Sequence, residues 1–251
     1  MSKFAPVAPA RIYEAFAEHR YVPEQILLLA HDVVQHEKAY EGLFDDPIWE
    51  NTNIIMDNSV VELGEAADAN MVLEAASIVG ADVVVLPDIL GKGEESTRAT
   101  VAAWPHWYWE FRDYQKMILI QGNSLKDWLH SAECMMHLEP DWVGIPRIAE
   151  DTFCNREVLH RFQLVDFAHS LFPEAQIHLF GFSNHIHWDL YSASHPWVTS
   201  IDSAVPLRLA SNFIFTEPQG KRGDWWETAK FTQQMITNCQ LVDSYIDRMR
   251  N

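Results

Sequence analysis

Cysteine is scarce in this chain. The three present, Cys134, Cys154 and Cys239, are far apart and form no CxxC pair. That excludes a disulfide framework and fits free thiols in a reducing cytoplasm. Bases are half as many as acids, 18 against 36, for a formal charge of −18. A polyanion gains nothing from such a field and needs a local basic patch. Ten glycines and twelve prolines exclude a low-complexity chain. No apolar run approaches the roughly 20 residues of a membrane-spanning helix. The opening MSKFAPVAPARIYEAF has no long apolar core behind Lys3, so it does not read as a secretory signal. The expectation is a cytoplasmic protein with no membrane partner.

What is abundant is apolar: 48% hydrophobic residues, with ten tryptophans and thirteen phenylalanines, enough for a large core. Short β-branched runs recur at QILLLAH (25–31), TNIIMD (52–57), DVVVLPD (82–88), KMILIQG (116–122), DWVGIPR (141–147), QIHLFGF (176–182), VTSID (198–202) and NFIFT (212–216). Several are continuously apolar, as strands covered on both faces are. Helical patterns separate most of them. This alternation predicts an α/β fold, a (β/α)8 TIM barrel in one domain over 1–251. Residues 1–24 read as an N-terminal extension or helix, and 224–251 as a closing helix. The rival open sheet lacks a GxGxxG after its first strand.

Barrel chemistry lies at the C-terminal strand ends. Those ends read His31-Asp32, Asp57-Asn58-Ser59, Pro87-Asp88, Gln121-Gly122-Asn123, Gly144-Ile145-Pro146-Arg147, Gly181-Phe182-Ser183-Asn184 and Asp202-Ser203. Any one aspartate there fits a helix N-cap. Three, with amides and glycines on the same rim, suit recognition of a guanine-like purine. Its N1–H and exocyclic amine call for a carboxylate, and its O6 for amide or backbone donors. A second carboxylate beside a sugar C1′ can attack it, and a third can shuttle the proton.

The ordered motifs resemble the tRNA-guanine transglycosylase superfamily, most of all its short phage-type DNA 7-deazaguanine transglycosylases (the DpdA group). The resemblance runs through Met56-Asp57-Asn58-Ser59-Val60, Leu86-Pro87-Asp88-Ile89, Ile120-Gln121-Gly122-Asn123, Val143-Gly144-Ile145-Pro146-Arg147 and Leu179-Phe180-Gly181-Phe182-Ser183. It is sharpest at Asp202-Ser203-Ala204-Val205-Pro206-Leu207-Arg208, where Asp, Pro and Arg keep the family spacing. It implies exchange of guanine in DNA for a free 7-deazaguanine base of the preQ0 type. Asp202 would be the nucleophile and Asp57 the general acid/base. Asp88, Gln121, Gly144, Asn58, Ser59, Gly181 and Phe182 would hold the base. The family's C-terminal zinc motif has no counterpart here, so no metal and no cofactor are expected, and DNA is favoured over tRNA. Asn58-Ser59 and Pro146-Arg147 depart from the family's glycines.

Lys92, Arg147, Arg208, Lys221 and Arg222 follow predicted strand ends and suit either a phosphate-binding patch or solvated surface. The histidines of NHIHWD (184–189), with His178 and His195, invite a metal reading, but two at i, i+2 on a helix diverge. The run AWPHWYWEFRDY (103–114) reads as packing around the barrel, or, if exposed, as a homodimer contact. Two other functions fit the residues: a barrel N-glycosidase or glycoside hydrolase using Asp57 and Asp202, and a non-catalytic nucleobase-binding barrel.

Overall fold

The strand that the sequence pattern misses is the first one. Lys3–Pro6 (β1) pairs in parallel with Val198–Ser203 (β8), so the predicted N-terminal extension is part of the wall. Between them lie Gln25–Leu29 (β2), Asn53–Asp57 (β3), Val83–Val85 (β4), Gln115–Leu119 (β5), Trp142–Pro146 (β6) and Gln176–Phe180 (β7). The order β1-β8-β7-β6-β5-β4-β3-β2 is a nearly closed, all-parallel ring with helices between the strands, a single-domain (β/α)8 TIM barrel. At the β1–β2 seam the Tyr13 hydroxyl donates to the Pro6 carbonyl at 2.8 Å, with the Leu27 carbonyl 3.4 Å away. This computed structural model describes residues 2–149, 161–182, 186–208 and 222–250, with side chains from 225 onward in the last stretch. The predicted strand 212–216 lies outside the described residues. The strand ending in Asp202 is therefore the eighth, not the seventh, of the ring. The predicted closing helix is two helices, Arg222–Thr228 and Gln233–Arg250.

Strand alternation sorts the side chains into two cores. Outward residues such as Ile26, Met56, Val84, Ile118, Val143 and Ile201 pack under the helices. Inward residues, among them Val7, Leu29, Ile55, Val85, Leu119 and Trp142, fill the barrel. Part of the acidic excess is structural. Asp82, Asp141 and Asp243 each accept a backbone N–H at the start of a neighbouring strand, from Ile54 (2.7 Å), Lys116 (2.8 Å) and Phe4 (3.0 Å). These bonds fix strand register at the barrel's N-terminal end. Helices begin and stop on local signals. Asp68 caps Ala69–Val79 through the N–H groups of Asn70 and Met71, and Gly80 ends it at φ 63°. Within the aromatic run, Trp107 is buried and stacked on Phe111 at 4.0 Å, whereas Tyr108 and Trp109 are exposed.

Candidate active site

The inward alternation that fills the barrel with aliphatic side chains changes at its C-terminal end. Asp57 follows Ile55 on β3, Gln121 follows Leu119 beyond β5, and Asp202 follows Ser200 on β8. These three, with Asp88 after β4, converge on the mouth. Asp57 is held well above the usual carboxylate range, first by burial and then by the acidic Glu62, Asp88 and Asp202 around it; a bond from the Ser59 N–H opposes this. Burial and the neighbouring carboxylates both favour its protonated form.

Asp57 and Asp202 are tethered alike. The Ser59 N–H donates to Asp57 Oδ2 at 3.0 Å. Asp202 Oδ1 accepts from the Gly181 N–H at 2.9 Å, and His178 Nε2 lies 3.2 Å from the same oxygen. In each case one oxygen is fixed, and the other takes no hydrogen bond from a described residue. Both tethers come from left-handed backbone, Gly181 at φ 68° and Ser59 at φ 60°. For serine that conformation costs about 1–2 kcal/mol. Its surroundings hold it there: the Ser59 hydroxyl accepts from the His31 N–H at 3.2 Å.

Asp88 is differently placed. It is 1% exposed, and its oxygens accept from Asn58 Nδ2 at 2.8 Å and Gln121 Nε2 at 2.6 Å. Burial raises its proton affinity and the two amides lower it. Gln121 Oε1 in turn accepts from the Gly91 N–H at 3.0 Å, and Asn58 Nδ2 also donates to the Leu86 carbonyl at 2.7 Å. Asp88, Asn58 and Gln121 are thus a buried brace behind Asp57 rather than a surface that reads a base.

Other expected contacts also fall elsewhere. Gly144 is inside the wall: a Cβ there would lie 2.6 Å from Phe180 Cε2, so glycine makes room for that ring. Phe182 is 2% exposed and packs on Phe4 with centroids 6.0 Å apart. Lys92 is answered by Glu95 at 3.0 Å. Arg147 donates to the Phe182 carbonyl at 3.1 Å, and Arg208 ends the short helix Val205–Arg208. Arg222 opens Arg222–Thr228, and Lys221 lies outside the described residues. His187 is exposed on Ile186–Ala193, whereas His178 points into the barrel; His185 lies outside the described residues. Among the described residues no three His, Cys, Asp or Glu side chains gather as a metal-ligand set.

Three contributors stand outside the strand-end motifs. His178 is fully buried in the barrel interior. Arg161 and Asp189, on the helices Arg161–Leu171 and Ile186–Ala193, form a buried ion pair at 2.7 Å. The Arg161 guanidinium also donates to the Phe180 and Gly181 carbonyls, at 2.9 and 3.0 Å. It thereby clamps the strand end whose next N–H holds Asp202.

No family model and no curated protein matches the chain. Solved structures do match along its length. KGPDC from Streptococcus mutans is 11% identical with a TM-score of 0.57, each chain covered in full. A ligand-bound structure of the same protein gives 0.59 at 11% identity, again with full coverage. Orotidine 5'-monophosphate decarboxylase from Sulfolobus solfataricus is 9% identical, with a TM-score of 0.57 and 99% of each chain covered. At such identities the likeness carries the fold. These neighbours are barrels of the orotidine-decarboxylase kind, not transglycosylases. They overturn guanine exchange in DNA or tRNA and the phage DNA-modification setting that went with it. The barrel glycosidase alternative is likewise unsupported.

Proposed function

We propose that this chain is an enzyme that decarboxylates a small organic acid at the C-terminal mouth of its barrel. The observation that carries this reading is Asp57, a carboxyl at the barrel mouth whose protonated form is favoured by burial and by acidic neighbours, with one oxygen fixed by the Ser59 N–H and the other taking no hydrogen bond from a described residue. When a C–C bond to a carboxylate breaks, its electron pair stays on carbon and needs a proton. Asp57 supplies that proton, becomes a carboxylate and is reloaded from water. The departing CO2 is neutral, so repulsion between the substrate carboxylate and the acidic mouth is relieved as the bond stretches. A rim that opposes the bound acid more than the transition state favours the reaction, provided the rest of the substrate supplies the binding energy. Asp202, held by the Gly181 N–H, orients the donor groups of that remainder. The decarboxylase among the similar folds supports the reaction class.

The test is release of labelled CO2 from carboxyl-13C acids of three classes, β-keto acids, sugar acids with and without phosphate, and pyrimidine carboxylates. Release by wild type with a loss of at least 100-fold in Asp57→Asn is expected. No release from any class, or equal release by the variant, overturns the proposal.

A further inference from the structure

The mouth chemistry leaves one interior group unused. His178 lies mid-strand in β7, fully buried inside the barrel, and an imidazole there must have its nitrogens satisfied. Both are. Nδ1 is 2.6 Å from the Ser200 hydroxyl and Nε2 is 3.2 Å from Asp202 Oδ1. The ring is also fixed from its side. Phe180 packs edge-on against it, with centroids 4.6 Å apart and planes at 81°. Phe180 fits because Gly144, the β6 residue in register with His178, has no Cβ.

We propose that His178 is a positioning residue for Asp202, holding Oδ1 from below so that Oδ2 is the oxygen presented to substrate. A carboxylate oxygen only accepts, so the ring nitrogen facing it carries the hydrogen, which places a proton on Nε2. Ser200 accommodates this, because a hydroxyl can turn to donate to Nδ1. With the Gly181 N–H on the same oxygen from the side, Asp202 loses its freedom to rotate. Ser200, His178 and Asp202 form one line from the barrel interior to its mouth. The inference rests on the reading of Asp202 as a substrate-facing group, and its first test does not depend on turnover.

Protein labelled with 15N-histidine, with His178 assigned through His178→Gln, is examined by long-range proton–nitrogen correlation. A ring protonated at Nε2 without tautomer averaging is expected, and Asp202→Leu should abolish that preference. A proton on Nδ1, or averaging in wild type, overturns the proposal. In the CO2 assay, His178→Gln, which keeps a donor, should stay within about threefold of wild type. His178→Leu should lower kcat at least tenfold with KM nearly unchanged and displace the pH profile. A wild-type profile and rate in His178→Leu also overturn it. If wild type releases no CO2, the decarboxylase reading falls, and the tautomer result still decides the role of His178. If His178→Leu does not fold, the wild-type tautomer decides as well.

Discussion

Replacing Arg161 with methionine tests how strongly the outer helices hold the mouth. The guanidinium is wholly buried and donates to three acceptors, the Phe180 and Gly181 carbonyls and Asp189 Oδ1. Methionine keeps much of the stem's volume and removes every donor. Asp189, 1% exposed, loses this cation, and breaking one side of a buried pair costs about 3–5 kcal/mol. Each carbonyl that loses its donor adds about 1–3 kcal/mol. One side chain serves all three acceptors, so these losses overlap and the expected total is about 5 kcal/mol. Domains have about 5–15 kcal/mol to lose. At about 3 kcal/mol per molar urea, the unfolding midpoint should fall by more than 1 M, read by circular dichroism. Arg161→Met with Asp189→Leu should recover part of the loss, because the stranded carboxyl is gone. A loss below 1 kcal/mol in the single variant refutes the argument that this pair clamps the β7 end.

Three further outcomes are expected. Asp57 has a folded-state proton affinity above its ordinary one, so its contribution to stability is greatest below the usual carboxylate range and declines as pH rises. Asp57→Asn should therefore melt higher than wild type at pH 7.5 while losing activity, with the thermal difference fading below pH 4. Asp243, pushed by burial to about 6 from 3.8, costs about 3 kcal/mol at neutral pH at 1.36 kcal/mol per pH unit. Asp243→Asn keeps the acceptor for the Phe4 N–H and should lessen the decline in urea stability expected of wild type between pH 4 and pH 6. Gly144→Ala forces the Phe180 ring to move. It should cost about 1–3 kcal/mol in urea unfolding and shift the His178 nitrogen signals, because Phe180 packs on that ring.

The sequence shows the barrel because buried parallel strands must be apolar on both faces, and eight such runs recur along the chain, seven of them strands among the described residues. β1 escapes that test: KFAP is four residues with a lysine and a proline, too short for a period. Asp57, Asp202 and Gln121 were legible because each ends an apolar run, where the chain passes from core to mouth. Asp88 was found by the same rule, but nothing local tells that Asn58 and Gln121 take both of its oxygens. Arg161 and Asp189 lie 28 residues apart on different helices, and only the packing of those helices reveals them as a pair. His178 had a faint signal, a polar side chain on the inward set of β7 next to Phe180 in that set. Its value emerges only when β8 sets Ser200 beside it. The motif order that resembled a transglycosylase reflects polar residues at successive strand ends, which any barrel with a polar mouth shares.

The closing pair of strands also sets an order of assembly. Lys3 finds its partner in Ser200, and among the described residues β1 has no other ladder. During synthesis at about 5–20 residues per second, the first strand waits about 10–40 s for the last to emerge. Until then its apolar residues are available to any other strand edge. Lys3 and Pro6 bound that segment, a charge and a missing N–H, the two features that discourage stray pairing. Lys3–Pro6 thus acts as a latch that stays inert until the ring behind it is complete.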